Sequence, residues 1–261
     1  KSHTVIDTSS FIKNKITITN KDNYDEGIYV LADSRQQPLF EILIGKDQKF
    51  SLYVKELMDL KTYKVKGSKE TSDYFEVYSK TTHNQLYMMA LKSELEYFPE
   101  NIYKIDSVKN YLHDYHNSII SKRPDSFLST YVKFIKEVEA PKEYHDNSES
   151  YIMNHYFDDL PLNDNRILNS RLLKNKLDIF FNHYMQSQTP EFICQKIDYL
   201  IEKSSAELRN YILWYLYSKY FNPDNARNEL VFIHLVDNYF SKLEIRSEIR
   251  SLSVFLPLYR G

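Results

Sequence analysis

The stretch Tyr151-Ile-Met-Asn-His-Tyr-Phe-Asp-Asp-Leu-Pro-Leu-Asn-Asp-Asn-Arg-Ile-Leu168, continued by Phe180-Phe-Asn-His-Tyr184, decides the fold that we predict for this chain. In these residues, and onward to Lys242, apolar side chains recur at intervals of three and four positions. This spacing is typical of amphipathic helices, which bury one face against each other. We therefore predict a packed helical domain, and we find no catalytic signature in it.

The first 67 residues follow a different pattern. Short runs rich in β-formers are separated by residues that turns select, and the runs cover residues 15–19, 27–31, 39–44, 50–54 and, more weakly, 64–66. We interpret them as a small antiparallel sheet. In the third run, Phe40, Ile42 and Ile44 alternate with Glu41 and Leu43. We expect the side with three apolar residues to be buried and the other side to be partly exposed.

Gly67-Ser68 marks the change to a helical period, with Ser68 or Thr71 placed to cap a helix that begins near Lys69 and ends before Pro99. Its predicted apolar stripe is Tyr74, Phe75, Tyr78, Leu86, Met89 and Leu95. Further helices are predicted at 102–120, from 127 to before Pro141, and at 147–158, 165–186, 190–203, 205–221 and 226–241. The Thr189-Pro190-Glu191 segment is a strong start signal.

The predicted fold class is therefore α+β. A small antiparallel β-sheet domain at 1–67 is followed by a larger irregular all-α helical bundle at 68–243 and a C-terminal segment at 244–261. We find no period near 34 residues, so a helical-repeat solenoid is disfavoured.

Composition excludes several classes of function. The 34 Lys and Arg residues nearly balance the 36 Asp and Glu residues, and a formal charge of -2 disfavours binding to nucleic acid. With only 4 glycines, the chain lacks the glycine-rich nucleotide-binding motifs and the G-x-S-x-G motif of α/β-hydrolases. No run approaches the roughly 18 apolar residues that span a bilayer, so we expect no transmembrane segment.

Cys194 is the only cysteine. A single thiol cannot form an internal disulfide, a Cys-x-x-Cys redox pair or a cysteine-rich zinc site. Its neighbours Phe192, Ile193 and Ile197 indicate a buried helix face. We therefore expect an unreactive core thiol rather than a nucleophile.

Two polar patterns are compatible with metal binding. His113 and His116 are three residues apart on one predicted helix, but structural zinc needs four ligands and no third is fixed locally. The oxygen-rich segments 158–159 and 163–165 could bind calcium, but they lack the glycine and the final glutamate of an EF-hand, and helix capping explains them more simply. We predict no catalytic residue, cofactor or metal ligand.

Acid–base pairs can also be drawn from the sequence, such as Asp178 with His183 and Glu229 with His234. General acid–base catalysis needs a cleft and a group to activate. Because the sequence indicates neither, we interpret these pairs as polar surface.

One predicted helix is dense in aromatic residues: Tyr211, Trp214, Tyr215, Tyr217, Tyr220 and Phe221. Such residues fill helix–helix contacts, or they form a platform that binds glycan or peptide, because Tyr and Trp carry a polar group on a large apolar body. We take Trp214 and Tyr215 as candidate ligand or partner residues. Phe255 and Leu256 join them, since the C-terminal segment ends in apolar residues that a partner could cover.

The order of these segments resembles the N-terminal part of the thioredoxin-like, thiol-disulfide-exchange lipoproteins of Bacteroidetes. In the first 75 residues the resemblance is carried by Gly27-Ile-Tyr-Val-Leu31, Phe40-Glu-Ile-Leu-Ile44, Lys46-Asp-Gln-Lys-Phe-Ser-Leu52, Val65-Lys-Gly-Ser-Lys-Glu70 and Tyr74-Phe75. In the helical part it is carried by His155-Tyr-Phe-Asp-Asp-Leu160, Asn163-Asp-Asn-Arg-Ile-Leu168, Asn175-Lys-Leu-Asp178, Tyr211-Ile-Leu-Trp-Tyr-Leu216, Lys219-Tyr220 and Val231-Phe-Ile-His-Leu-Val-Asp-Asn-Tyr-Phe240.

In that family, a small β-domain and a helical domain of unknown function precede a thioredoxin-like domain. The β-part of this chain begins at what would be the second half of the family's sheet, so the resemblance implies an incomplete sheet. The family's Cys-x-x-Cys domain would begin after a segment similar to Phe255-Leu-Pro-Leu-Tyr-Arg-Gly261. We therefore expect the redox chemistry to lie outside this sequence.

The resemblance implies a non-catalytic accessory or interaction module of an exported protein. Its partner would be a thioredoxin-like domain or a client protein. Its location would be the periplasm or the outer-membrane-attached cell envelope, with a lipid anchor upstream. The alternative is a stand-alone glycan- or peptide-binding module that uses exposed aromatic residues.

Overall fold

The computed structural model describes residues 5–10, 12–13, 15–18, 22–221 and 226–240. The chain divides into two compact units, Lys1–Leu128 and Ser129–Gly261. A few short strands followed by a majority of helix confirm the predicted α+β class. The predicted domain boundaries at residues 67 and 243 stay predictions, and Phe255 and Leu256 lie outside the described residues.

The strands of the first unit form two antiparallel hairpins. Strand β1 (Gly27–Ala32) pairs with β2 (Pro38–Ile44), and β3 (Ser51–Tyr53) pairs with β4 (Lys64–Lys66). The run predicted at 15–19 differs, because its described part, residues 15–18, contains only a bridge between Ile12 and Lys15. Ile16 and Ile18 are exposed, and β-propensity without a surface to pack against does not hold a strand.

The burial of β2 also differs from the prediction. Leu43 is fully buried, whereas Phe40, Ile42 and Ile44 are only half-buried. This difference results from tertiary packing, because the first helix, α1 (Lys69–Ser93), packs on β2. The hydroxyl of Thr71 on α1 donates a 3.0 Å hydrogen bond to the Leu43 carbonyl.

Helix α1 begins where the sequence indicates. Gly67 has a backbone φ of 106°, a value that residues other than glycine rarely adopt. The Ser68 side chain accepts a hydrogen bond from the Thr71 backbone N–H. The helix packs against α2 (Asn101–Lys122) through a small core of Met88, Leu91, Ile105 and Leu112.

The predicted stripe on α1 is correct at Tyr74 and Phe75, which are buried, but wrong at Tyr78, Leu86 and Met89, which are exposed. Leu95 is half-buried against the core that α1 shares with α2, and the other buried apolar residues of the helix are Val77, Met88 and Leu91. Where α1 leads into α2, large apolar side chains face solvent, with Tyr97 76% and Tyr103 77% exposed. We name this exposed set the hairpin tip; it consists of Leu86, Met89, Tyr97, Phe98, Ile102 and Tyr103.

In its described part, the second unit consists of helices joined by loops and contains no strand. After α3 (Phe127–Ile135), which spans the division between the units, it contains α4 (Ser148–His155), α5 (Leu172–Ile179), α6 (Pro190–Lys203), α7 (Ala206–Tyr220) and α8 (Ala226–Leu235). Its core includes Leu177, Phe180, Ile197, Leu200, Leu208, Ile212, Leu216 and Leu235. Thr189 caps α6, with Pro190 at the first turn, which confirms the predicted start signal.

The helix predicted at 165–186 is divided into three pieces. A 3-10 turn, Asn165–Asn169, precedes α5, and a π-helical turn, Phe180–Tyr184, follows it. In the π turn, the Met185 N–H donates to the Phe180 carbonyl at 3.0 Å. Single π turns within α-helices are frequently found at functional sites.

None of the helices in the described ranges combines the length and the apolar character that a bilayer crossing requires.

Candidate functional site

An open groove lies in the helical unit beside α5, its π turn and α7. It has a volume of about 480 Å³, which is within the usual range of ligand sites. Its α5 side is lined by Lys174, Asp178 and Asn182, and its α7 side by Tyr211, Trp214, Tyr215, Ser218 and Lys219. We name it the α5–α7 groove.

Helical spacing places these side chains together. Lys174, Asp178 and Asn182 follow each other at intervals of four residues, and the α7 residues occur at 211, 214, 215, 218 and 219, which is one side of a helix. The adjacent side of α7 is fully buried at Leu208, Ile212 and Leu216. Tyr211, Trp214 and Ser218 lie farther from that side and are exposed, whereas Tyr215 and Lys219 lie at its edge and are half-buried.

Asp178 joins the two helices. Its Oδ1 accepts a 2.9 Å hydrogen bond from the Tyr215 hydroxyl on α7, and its Oδ2 pairs with Lys174 Nζ one turn earlier on α5. Burial, and then this hydrogen bond, raise the pKa of Tyr215, so its hydroxyl remains a proton donor. Tyr215 thus fixes the carboxylate within the lining of the groove.

Lys219 faces an amide rather than a carboxylate. Its Nζ donates to Asn182 Oδ1 and lies 5.8 Å from the centre of the Tyr220 ring. Partial burial lowers the pKa of Lys219, and the more distant Asp178 only partly opposes this effect. The groove therefore contains a partly desolvated ammonium whose direct partner is neutral.

Trp214 and Tyr211 supply apolar surface in the groove, and each is 38% exposed. The indole of Trp214 packs edge-on against Tyr217 at 5.6 Å and Phe240 at 5.4 Å, measured between ring centres. These contacts hold the Trp214 ring while leaving part of it open to solvent. A supported, partly exposed tryptophan is a suitable platform for a flat ligand.

The structure places both described candidate residues, Trp214 and Tyr215, in this groove. Sequence reasoning missed Lys174, Asn182 and Lys219, and it interpreted Asp178 only through its pairing with His183. The four-residue spacing of Lys174, Asp178 and Asn182 was a signal for the α5 side of the groove. The pairing of Lys219 with Asn182 spans 37 residues and is set by tertiary packing.

Two histidine–carboxylate pairs lie elsewhere in this unit. His155 Nδ1 lies 2.6 Å from Asp158 Oδ2, and the Tyr199 hydroxyl donates to Asp158 Oδ1 at 2.7 Å. Burial alone would raise the pKa of Asp158, but the hydrogen bonds from Tyr199 and His155 outweigh it and lower the pKa. The hydrogen bond from Tyr199 thus joins α6 to the segment just after α4.

The second pair has the same form. His234 Nε2 lies 2.7 Å from Asp198 Oδ1, and the Tyr239 hydroxyl donates to the same oxygen at 2.6 Å. The other ring nitrogen, Nδ1, lies 3.1 Å from the side-chain amide of Asn238. The carboxylate partner of His234 is thus Asp198 rather than the Glu229 considered from sequence, and the observed contacts tie α6 to the π turn Val236–Phe240.

Each candidate metal pattern contains a residue that makes a structural contact. His116 is buried and lies 2.9 Å from the Thr81 hydroxyl, which links α1 to α2. Asp164 caps the 3-10 turn through the Arg166 N–H and accepts from Thr130 at 2.6 Å, which confirms the capping interpretation at this residue. Over the ranges that the structure describes, no group of three or more His, Cys, Asp or Glu residues could hold a metal ion.

The thiol of Cys194 is poorly suited to nucleophilic chemistry. Burial, followed by the charges of Asp198 and Glu191, raises the pKa of Cys194 to about 11. Because the thiolate is the reactive form, the side chain stays a neutral thiol at physiological pH.

No protein-family model, curated protein or solved structure matches this chain. The resemblance to the thioredoxin-like lipoproteins therefore stays a prediction, as do the activity, location and partners that it implies.

Proposed function

We propose that this chain is a non-catalytic binding module and that the α5–α7 groove takes up a glycan or peptide ligand. The observation that carries the proposal is Trp214, which is held by two aromatic neighbours, 38% exposed, and surrounded by polar groups. Binding sites combine such apolar surface with a few fixed polar groups that orient the ligand.

The chemistry of the groove supports binding rather than cleavage. Most glycoside hydrolases use two carboxylates that flank the scissile bond. The groove lining includes one, Asp178, which already accepts hydrogen bonds from Tyr215 and Lys174. A lone carboxylate that is held in this way can orient a hydroxyl or amide group of a ligand.

A glycan array and a peptide library, probed with the wild-type chain and with Trp214→Ala, test the proposal. We expect at least one ligand whose binding is lost in the variant. If the alanine variant does not fold, Trp214→Phe replaces it in the test, because this variant keeps an aromatic ring against Tyr217 and should preserve the fold. Phe221→Ala is the matched control, because Phe221 is an exposed aromatic residue at the end of α7 outside the groove. Binding that is independent of Trp214, or no binding to either library, would refute the proposal.

A second candidate function is the accessory module that the family resemblance implies. The hairpin tip favours it, because several large apolar side chains are exposed there, and exposed apolar surface is a feature of sites of protein association. We propose that this tip docks a thioredoxin-like domain in the cell envelope and that the chain itself carries no thiol-disulfide exchange activity.

Photo-cross-linking tests the docking in envelope preparations. A cross-linking amino acid at Tyr103 should trap a thioredoxin-like protein, whereas the same group at Tyr78, an exposed residue of α1 away from the tip, should not. Capture of an unrelated class of protein, or equal capture at both positions, would count against the docking. Dithiol-dependent reduction of insulin by the isolated chain would overturn the non-catalytic assignment.

A further inference from the structure

The α5–α7 groove has an excess of positive charge in its lining. It contains two ammonium groups, Lys174 and Lys219, and one carboxylate, Asp178. Lys174 and Asp178 form an ion pair one helical turn apart, so their charges offset each other locally. Lys219 is left with the neutral amide of Asn182 as its hydrogen-bond partner.

This arrangement favours an anionic ligand. A partly desolvated ammonium is more costly beside a neutral partner than beside an anion. A lysine ammonium has three donors, and the contact with Asn182 uses one of them. A ligand carboxylate at Lys219 would recover the electrostatic energy that burial removes.

The remaining lining suits a sugar ring more than a peptide. Peptides are commonly bound along a sheet edge, in an apolar groove for a helix, or on an aromatic surface for a proline-rich segment. Here an aromatic pair, Tyr211 and Trp214, is interleaved with Asp178, Asn182 and Ser218. A pyranose presents C–H faces to aromatic rings and hydroxyl groups at its edge, which matches this mixture.

We propose that the α5–α7 groove binds an acidic carbohydrate, with the ring of a uronic acid on Trp214 and its carboxylate at Lys219. This inference rests on the proposed function of the groove and specifies its ligand class. Asp178 and Asn182 then accept hydrogen bonds from ring hydroxyl groups through the lone pairs that their present contacts leave open.

The test uses short oligosaccharides of galacturonate, alginate and hyaluronan, with fully methyl-esterified oligogalacturonate as the uncharged counterpart. A hexaglutamate peptide represents acidic peptides, and neutral oligosaccharides represent uncharged glycans. Trp214 is the only tryptophan, so its fluorescence reports occupancy of the groove directly, and calorimetry supplies the dissociation constants.

We expect at least one uronate oligosaccharide to bind and to shift the Trp214 fluorescence. Lys219→Gln should weaken this binding about tenfold, since a charge-assisted hydrogen bond is lost. Lys203→Gln is the matched control. Lys203 also lies over a tyrosine ring, 5.7 Å from the centre of Tyr199, but it does not line the groove. Circular dichroism should show the same fold for both variants.

The outcomes separate the two proposals. Equal affinity for the acid and its methyl ester, or no effect of Lys219→Gln, would overturn the acidic-sugar assignment. Trp214-dependent binding of neutral glycans would then leave the binding module standing. Tighter binding of hexaglutamate than of any uronate would replace the sugar with an acidic peptide. If no ligand of any class changes the Trp214 signal or binds by calorimetry, both proposals fail.

Discussion

The Nζ of Lys176 donates a 3.1 Å hydrogen bond to the backbone carbonyl of Lys136, just after the end of α3. The same ammonium lies 4.9 Å from the centre of the Tyr156 ring. The side chain is only 9% exposed, and burial lowers the pKa of Lys176 to about 8, with Glu137 partly opposing the effect.

Stability should therefore depend on pH through Lys176. Below about pH 8 the folded protein holds a buried ammonium, at a cost of roughly 3 kcal/mol relative to the ordinary lysine pKa. Between this pKa and the ordinary value of 10.5, the unfolded chain binds more protons. Lys176 by itself should therefore make the free energy of unfolding rise with pH over this range. The raised pKa values of Cys194 and of buried tyrosines act in the opposite direction, so the Lys176 contribution is the difference between the wild type and a variant that lacks this lysine.

Replacing Lys176 by methionine should remove this dependence. The variant loses a charged hydrogen bond of about 2 kcal/mol but also the larger burial cost, so it should be about 1 kcal/mol more stable at neutral pH. Urea unfolding at neutral pH and near pH 9.5, followed by Trp214 fluorescence, measures both effects. The exposed Lys203→Met is the control, and a destabilised Lys176→Met variant would contradict the prediction.

The hydrogen bond between Tyr215 and Asp178 should stabilise the contact of α7 with α5. Tyr215→Phe removes only the hydroxyl and should lower the free energy of unfolding by about 1 kcal/mol. Tyr217→Phe is the matched control on the same helix, since its hydroxyl makes no hydrogen bond within the described residues. Equal stabilities of the two variants in urea would show that the Asp178 contact contributes nothing.

Gly67 should not tolerate a side chain. At a φ of 106°, an added Cβ would lie 2.6 Å from the Lys49 carbonyl oxygen and 3.1 Å from Phe50 Cα. Both contacts are with backbone, which cannot move aside easily, so Gly67→Ala should cost more than about 1 kcal/mol. Thermal unfolding by circular dichroism should show a lower midpoint for this variant than for Lys66→Ala, and identical midpoints would argue against the strain.

Cys194 should react slowly with thiol reagents in the folded protein. With a pKa of about 11, its thiolate fraction near pH 8 should be about a hundredfold below that of an unperturbed cysteine. Disulfide-exchange labelling with and without urea measures the ratio. Equal rates in the two conditions would mean that the folded chain does not suppress the thiolate.

The helix starts were predictable because their signals are local. Ser68 and Thr189 each cap a helix through a backbone N–H three residues away, so the determining residues lie within one turn of sequence. The placement of Trp214 and Tyr215 in a groove was also within reach, because the alternation of buried and outward residues on α7 follows helical spacing.

Tertiary packing decided the rest. The burial of Leu43 depends on α1, and the exposure of Leu86 and Met89 depends on which face of α1 meets α2. Periodicity alone does not distinguish these outcomes. The π turn inside the helix predicted at 165–186 is also not visible in the apolar spacing, because Leu173, Leu177, Phe181 and Met185 recur every four residues across it.

The π turn at Phe180–Tyr184 contains one residue more than an α-helical turn would, and Asn182 lies within it. An in-frame deletion of one codon just before Asn182 would let the segment return to α-helical geometry, in which each residue turns by about 100° around the axis. The amide of Asn182 would then point in a different direction relative to Lys219, although all eight lining residues would still be encoded. The number of residues in this turn, and not only their identity, therefore determines the Asn182–Lys219 contact.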